Sequence, residues 1–99
     1  MFVSIWIGID LDVERAAIED ELEVVFQGLG EVTGAGIGET GCHVDLEILA
    51  DPPPPLEVYK LVEKALMTAG LTAKAKVRID GAVFTYQHPE ARGSSGGHI

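Results

Sequence analysis

The spacing of the apolar residues changes within the first thirty positions, and this change limits the possible folds more than any other feature. From Phe2 to Asp10, branched apolar residues at every second position alternate with Ser4, Trp6, Gly8 and Asp10, which predicts a strand with one buried side. The next apolar residues recur at helical spacing: Val13, Ala17, Ile18, Leu22, Val25, Phe26 and Leu29. Asp12 is a candidate N-cap, and we expect the helix to end at Gly28 and Gly30.

A glycine-rich hairpin is expected next. Residues 31–37 and 43–49 predict two strands joined by a turn. Glycine occupies every second position from 34 to 38, but a phosphate-binding loop of this kind would open a helix, and here another strand follows. The pattern therefore indicates an edge strand whose side chains are missing on one face.

The register of this edge strand stays open. If Val32 faces the core, the bare glycine face lies under the helices, and if Ile37 does so, it lies on the other side of the sheet. A bulge could change the register within the strand, because glycine favours one. Such an edge either offers another chain a place to pair or prevents pairing.

The second half of the chain repeats the helix and strand patterns. The prolines at 52–55 form a stiff connector to a second amphipathic helix, which ends at Gly70. Alternation from Thr72 to Ile79 predicts a strand. The turn signal Asp80-Gly81 makes Ala82–Tyr86 either a short fifth strand or a continuation after a bulge.

The order of elements predicts an α+β fold. Strands and helices in the order β-α-β-β-α-β are typical of a ferredoxin-like sandwich, with an antiparallel sheet in the order 4-1-3-2 and both helices on one face. A short fifth strand is possible. We expect one domain over residues 1–87 and a flexible Gly/Ser-rich tail over residues 88–99.

Charge and cysteine content limit the expected partners and the expected location of the protein. The net charge is −9, and residues 1–51 carry twelve acids and one base. Such a chain repels nucleic acid and anionic membranes, so a basic protein or peptide, or a metal ion, is the expected partner. The alternative is that acidity only keeps a small bacterial-type protein soluble. The single Cys42 cannot form an internal disulfide, and no stretch approaches the length of a membrane span, so a cytoplasmic location is expected.

Polar residues on the third strand suggest a possible metal site. His43, Asp45 and Glu47 share one face, and the antiparallel neighbour would bring Asp10 close. Mixed nitrogen and oxygen ligands of this kind can hold a divalent cation. The alternative is a solvated sheet face, and no other cofactor is expected.

No catalytic set is apparent. Cys42 and His43 are adjacent on a strand, so their side chains should point to opposite faces and cannot form a nucleophile–base pair. His88 and His98 fall in or near the tail, and no Ser-His-Asp pattern is present. We therefore expect a chain that is not an enzyme.

The sheet face turned away from the helices is one candidate surface. Alternation places Trp6 there, and an exposed tryptophan is enriched at binding sites. On the fourth strand, Lys74, Lys76 and Arg78 should flank it. The alternative is that these basic side chains cover Trp6 and bridge to acids across the strands, or that the tail or a second subunit covers it.

The first helix is the other candidate surface. Its solvent side is crowded with acids: Glu14, Glu19, Asp20, Glu21 and Glu23. Together with Trp6, we predict that Glu14, Glu19, Asp20 and Glu23 bind a basic protein partner, as an inhibitor or immunity-type protein would. The alternative is a dimeric ferredoxin-like sensor that binds a small ligand or metal on the sheet face away from the helices.

Overall fold

The computed structural model describes residues 1–8, 15–38, 41–49, 51 and 53–87. The chain is an α+β protein with two helices and one five-stranded antiparallel sheet. In chain order the elements are β1 (Phe2–Ile7), α1 (Arg15–Val25), β2 (Gly30–Gly38), β3 (Gly41–Ile48), α2 (Pro55–Ala69), β4 (Ala75–Ile79) and β5 (Ala82–Tyr86). Within the described ranges, no helix is long and apolar enough to cross a membrane. The predicted tail, residues 88–99, lies outside them.

The fifth strand changes the expected sheet order. The complete order is β2-β3-β1-β4-β5, and every neighbouring pair is antiparallel. It differs from the expected order 4-1-3-2 because β5 adds to the sheet beyond β4, where a four-stranded sheet would have its edge. Asp80 makes this possible, because it adopts a left-handed φ of 52° in the turn. Its carboxylate oxygen Oδ1 accepts a hydrogen bond from the Phe2 N–H at 3.2 Å, which ties the turn to β1.

One core holds both helices on the same face of the sheet. Val3, Ile5 and Ile7 of β1 are buried, as their alternation predicts. They lie in one cluster with buried residues from both helices: Ile18, Leu22, Val58, Val62, Ala65 and Leu66. Burying each large aliphatic side chain contributes about 1.5–3 kcal/mol, so this cluster is the main source of stability.

The first helix is shorter than its apolar pattern predicts. It ends at Val25, and the chain continues in turns in which the Leu29 and Gly30 N–H groups both bond the Phe26 carbonyl. Phe26 remains fully buried although it lies beyond the helix. The predicted N-cap, Asp12, lies outside the described residues.

The end of the second helix fixes where β4 begins. Gly70 caps α2 in a left-handed conformation with φ 87°, as predicted. Leu71 is then buried, and its carbonyl accepts a hydrogen bond from the buried Tyr86 hydroxyl at 2.9 Å. Pairing with β1 starts only at Ala75, so the predicted start at Thr72 is wrong. Lys74 therefore precedes the strand.

Candidate functional site

A bulge settles the register of the glycine-rich strand. Val32 pairs with Leu46, but Gly34 pairs with Asp45, so Thr33 is the extra residue. The Thr33 hydroxyl donates a long hydrogen bond of 3.5 Å to the Asp45 carbonyl. Val32 packs against the core, and the two glycines that follow the bulge lie on the opposite face of the sheet.

We call the sheet surface away from the helices the open face. On this face, the side chains along one strand form a column: a basic column on β4, a central column on β1 and an acidic column on β3. The edge strands, β2 and β5, carry short side chains or none at most of these positions. Its residues are Glu31, Gly34 and Gly36 on β2; His43, Asp45 and Glu47 on β3; Phe2, Ser4 and Trp6 on β1; Lys76 and Arg78 on β4; and Val83 and Thr85 on β5.

Trp6 and His43 form a ring stack across two strands of the open face. The two residues are directly paired, and their ring centroids are 4.9 Å apart with an angle of 30° between the planes. On the other side of His43, a Cβ at Gly36 would lie 2.9 Å from the imidazole Cε1. Glycine at position 36 therefore leaves the space in which the imidazole packs against the indole.

The predicted metal ligands do not form a site on their own. The His43 Nε2 and Asp45 Oδ2 atoms are 3.8 Å apart, and both side chains are half-buried. No group of three or more His, Cys, Asp or Glu side chains in the described part of the chain is arranged to hold a metal ion. Glu47 lies four residues from His43 along the strand, a distance of roughly 13 Å, which keeps its carboxylate away from the imidazole. Asp10 lies outside the described residues, so the four-ligand site stays a prediction.

The other side of the indole borders a shallow depression. Trp6 is 51% exposed, as predicted, and with Lys76 and Arg78 it lines a cavity of about 450 Å³. Lys74 does not line it with them, because it precedes β4.

The alternative in which salt bridges join the strands of this face is not seen among the described residues. Among the residues that the structure describes, the only ion pair between a base and a carboxylate that are both charged at neutral pH joins Arg15 to Glu19. The contact between His43 and Asp45 is an ion pair only when the imidazole is protonated. The basic column on β4 and the acidic column on β3 are separated by β1, a distance of roughly 9–10 Å. Apart from the contact between His43 and Asp45, the described charges of the open face are segregated by sign and are not paired across the strands.

The outer side of α1 forms a second surface. Asp20, Glu23, Val24 and Gln27 line a depression of about 440 Å³, and we call these four residues the α1 patch. Val24, one of the four, is 66% exposed. Glu19 is turned away to its ion pair with Arg15, whose N–O distance is 3.1 Å. The predicted Glu14 lies outside the described residues.

The residues predicted to bind a partner divide between these two surfaces. Asp20 and Glu23 lie on the helix layer, whereas Trp6 lies on the opposite side of the sheet. Sequence reasoning missed Val24 and Gln27, although their spacing from Asp20 by four and seven residues already placed them on one helix face.

Cys42 is a core residue and not a reactive one. It is 3% exposed on the helix side, while His43 stacks on Trp6, so the two side chains point to opposite faces as predicted. Burial raises the pKa of the Cys42 thiol, and the Arg15 guanidinium only partly offsets this effect. The thiol therefore stays protonated and weakly nucleophilic at neutral pH.

Comparison with known proteins does not assign a family. No family model matches the chain, and neither a curated protein nor a solved structure matches it. Function must therefore be inferred from the open face and the α1 patch themselves.

Proposed function

We propose that the chain is a small acidic protein-binding module that docks a basic protein partner through the α1 patch. Its core is ferredoxin-like, with a fifth strand added. An inhibitor or immunity-type protein fits this class best. The observation that carries the proposal is the exposed Val24 in a patch that also contains two carboxylates, those of Asp20 and Glu23.

The composition of the α1 patch supports docking over mere solubility. Carboxylates alone would keep the chain soluble, and an exposed valine among them adds nothing to that. Protein interfaces combine apolar side chains with polar ones, as this patch does. The one base on α1, Arg15, is bound to Glu19, so Asp20 and Glu23 have no cation beside them on this helix.

The sheet supports the ferredoxin-like assignment. Four strands lie in the order β2-β3-β1-β4, with both helices packed on one face. Strand β1 lies at the centre and pairs antiparallel with β3 and β4, as the split βαβ arrangement requires. Strand β5 extends this arrangement without interrupting it.

The test is a comparison of two charge-reversal variants. Asp20→Lys with Glu23→Lys changes the α1 patch, and Asp51→Lys with Glu57→Lys changes exposed acids elsewhere. Each double variant adds four units to the net charge of −9, which becomes −5. Proteins captured from nuclease-treated native lysate are identified by mass spectrometry at low and high salt, after thermal melts confirm that both variants fold.

The expected result is a basic protein that the wild type and the control variant retain at low salt and release at high salt. The α1 variant should not capture it. Capture of the same protein by both double variants would contradict the proposal, because binding would then not need the α1 patch. Loss of capture by both would also contradict it, because net charge and not the α1 patch would then govern binding.

A ligand-sensing function is the second candidate. It is favoured by the depression beside Trp6, where an indole and two cations without ion pairs in the described residues would suit an aromatic anion. A ligand present at 100 times its Kd should stabilise the fold by about 2.7 kcal/mol. A thermal-shift screen with aromatic carboxylates, nucleotides and divalent metals tests this function, and Trp6→Ala or His43→Ala should abolish any shift.

A further inference from the structure

The order of the strands makes the open face symmetric about its centre. Strand β1 lies in the middle, with β3 and β2 on one side and β4 and β5 on the other. A half-turn about an axis parallel to β1, placed above the open face, lays β4 of one copy over β3 of the other and β5 over β2. This rotation does not shift the two copies along the strand direction. Residues that are paired across one sheet, which we call a row, therefore lie over the same row of the other copy.

Charges are complementary in this arrangement. The basic column of each copy, Lys76 and Arg78, meets the acidic column of the other, so Arg78 comes within reach of Asp45. Among the residues with described positions, these charges form no ion pair across the sheet of one chain. Glu47 lies one row further out, at the rim, where solvent screens it. A half-turn about an axis perpendicular to the strands would instead place β4 over β4, with cation against cation.

The aromatic side chains are complementary as well. One face of each indole packs on His43, and the other borders the depression on the β4 side. In the rotation parallel to β1, the free faces of the two indoles turn toward each other. Each indole can enter the depression of the other copy and lie beside Lys76, where ring stacking and a cation–π contact are both available.

The edge strands of the two copies are complementary in shape in the same arrangement. Val83 on β5 is 53% exposed, and the rotation brings it to the side of the sheet where Gly34 and Gly36 carry no side chain. A protruding edge thus meets a bare one. Packed sheets lie about 10 Å apart, a gap that an arginine and an aspartate from opposite sheets can span.

We propose that the open face binds a second copy of this chain about a two-fold axis parallel to β1, with Trp6 of each copy in the depression lined by Trp6, Lys76 and Arg78 of the other. The interface is isologous, since each contact occurs twice. It lies on the opposite side of the sheet from the α1 patch, so it goes beyond the proposed function and does not depend on it.

The test uses paired charge reversals in the chain of 99 residues. Wild type, Arg78→Glu and Asp45→Arg are compared by sedimentation equilibrium from about 1 µM to 1 mM, a range that covers ordinary dimer affinities. We expect the wild type to dimerise and each single variant to dimerise at least about tenfold more weakly, because like charges then meet at both copies of the contact. An equimolar mixture of the two variants should form a heterodimer, since the carboxylate introduced at position 78 of one chain would meet the guanidinium introduced at position 45 of the other.

A double variant and a control complete the test. The chain carrying both reversals, R78E with D45R, should regain the dimer by itself, whereas Lys64→Glu on the exposed side of α2 should leave dimerisation unchanged. Trp6 is the only tryptophan, so its emission should shift to shorter wavelength as the dimer forms.

Three outcomes would overturn the proposal. The first is a wild type that stays monomeric throughout the concentration range, including one whose Trp6 is already shielded by a ligand or by residues 88–99. The second is a dimer that neither Arg78→Glu nor Asp45→Arg weakens. The third is a failure of both the mixture and the double variant to regain association.

Discussion

Two glycines on β2 offer a sharp test of how the open face is built. Gly34 and Gly36 lie two residues apart on the same face of the same strand, but their surroundings differ. A Cβ at Gly34 would lie 3.6 Å from the Asp45 Oδ2 atom, which is an ordinary contact. A Cβ at Gly36 would lie 2.9 Å from the His43 Cε1 atom, so the imidazole, which lies between this Cβ and Trp6, must leave the position in which it stacks on the indole.

The expected magnitudes follow from these distances. Replacing glycine by alanine in a strand stabilises the fold by about 0.5–1 kcal/mol, because the unfolded chain loses conformational freedom. Gly34→Ala should show this full gain. Gly36→Ala should lose about 0.5–1.5 kcal/mol of ring stacking at the same time, so its net effect is near zero or slightly destabilising. We expect the two variants to differ by about 1 kcal/mol, or about 4–8 °C in Tm.

The assay is urea and thermal unfolding of both variants, at a concentration low enough to keep the chain monomeric. The fluorescence emission of Trp6 is measured on the same folded samples. The emission of Gly36→Ala should change because the imidazole no longer packs on the indole, and that of Gly34→Ala should match the wild type. Equal stabilities and unchanged emission in both variants would refute the reasoning, because Gly36 would then not lie beside His43 and the bulge could not be at Thr33.

Two further predictions concern the core. Tyr86→Phe should cost about 1–2 kcal/mol in urea unfolding, because the Leu71 carbonyl loses a buried hydrogen bond. Tyr59→Phe, whose hydroxyl bonds the Thr85 carbonyl at 3.3 Å in an exposed position, should cost less than about 0.5 kcal/mol. Burial raises the pKa of Cys42, so above pH 9.0 the folded chain keeps a thiol proton that the unfolded chain releases. The free energy of unfolding should therefore fall as pH rises from the ordinary value of 9.0 through the raised pKa. Cys42→Ala should remove this dependence, and a stability curve that is the same with and without the thiol would contradict the assignment.

Periodicity predicted the elements but not their ends. The alternation in β1 placed Trp6 on the exposed side correctly, since neighbours along a strand must face opposite ways. Alternation also continues through Leu71 and Ala73, yet β4 starts at Ala75, because its pairing with β1 reaches only as far as Ile7. An alternating sequence forms a strand only where a neighbouring strand is available for pairing, and the length of that neighbouring strand is set by tertiary structure.

The candidate site was predicted less completely than the fold. The conflict between Val32 and Ile37 pointed to a bulge in β2, but glycine has no side chain to mark its face, so the position at Thr33 came only from the pairing. The stack of His43 on Trp6 needed the register of β1 against β3 as well. Residues in different strands become neighbours through register, which the spacing along one strand does not contain.

Salt should separate the two proposed surfaces, because they depend on charge in opposite ways. Docking at the α1 patch relies on attraction between an acidic surface and a basic partner, so it should weaken steadily as salt is added. Dimerisation through the open face brings together two chains of net charge −9, whose long-range repulsion salt also screens. The contacts between Arg78 and Asp45 are enclosed between two sheets and are screened much less. Sedimentation at about 0.05 and 0.3 M salt should therefore show a dimer that is unchanged or stronger at the higher concentration, while partner capture falls. If added salt weakens the dimer as much as it weakens partner capture, solvent-exposed charges hold the dimer together. The two indoles would then not lie at the centre of the interface.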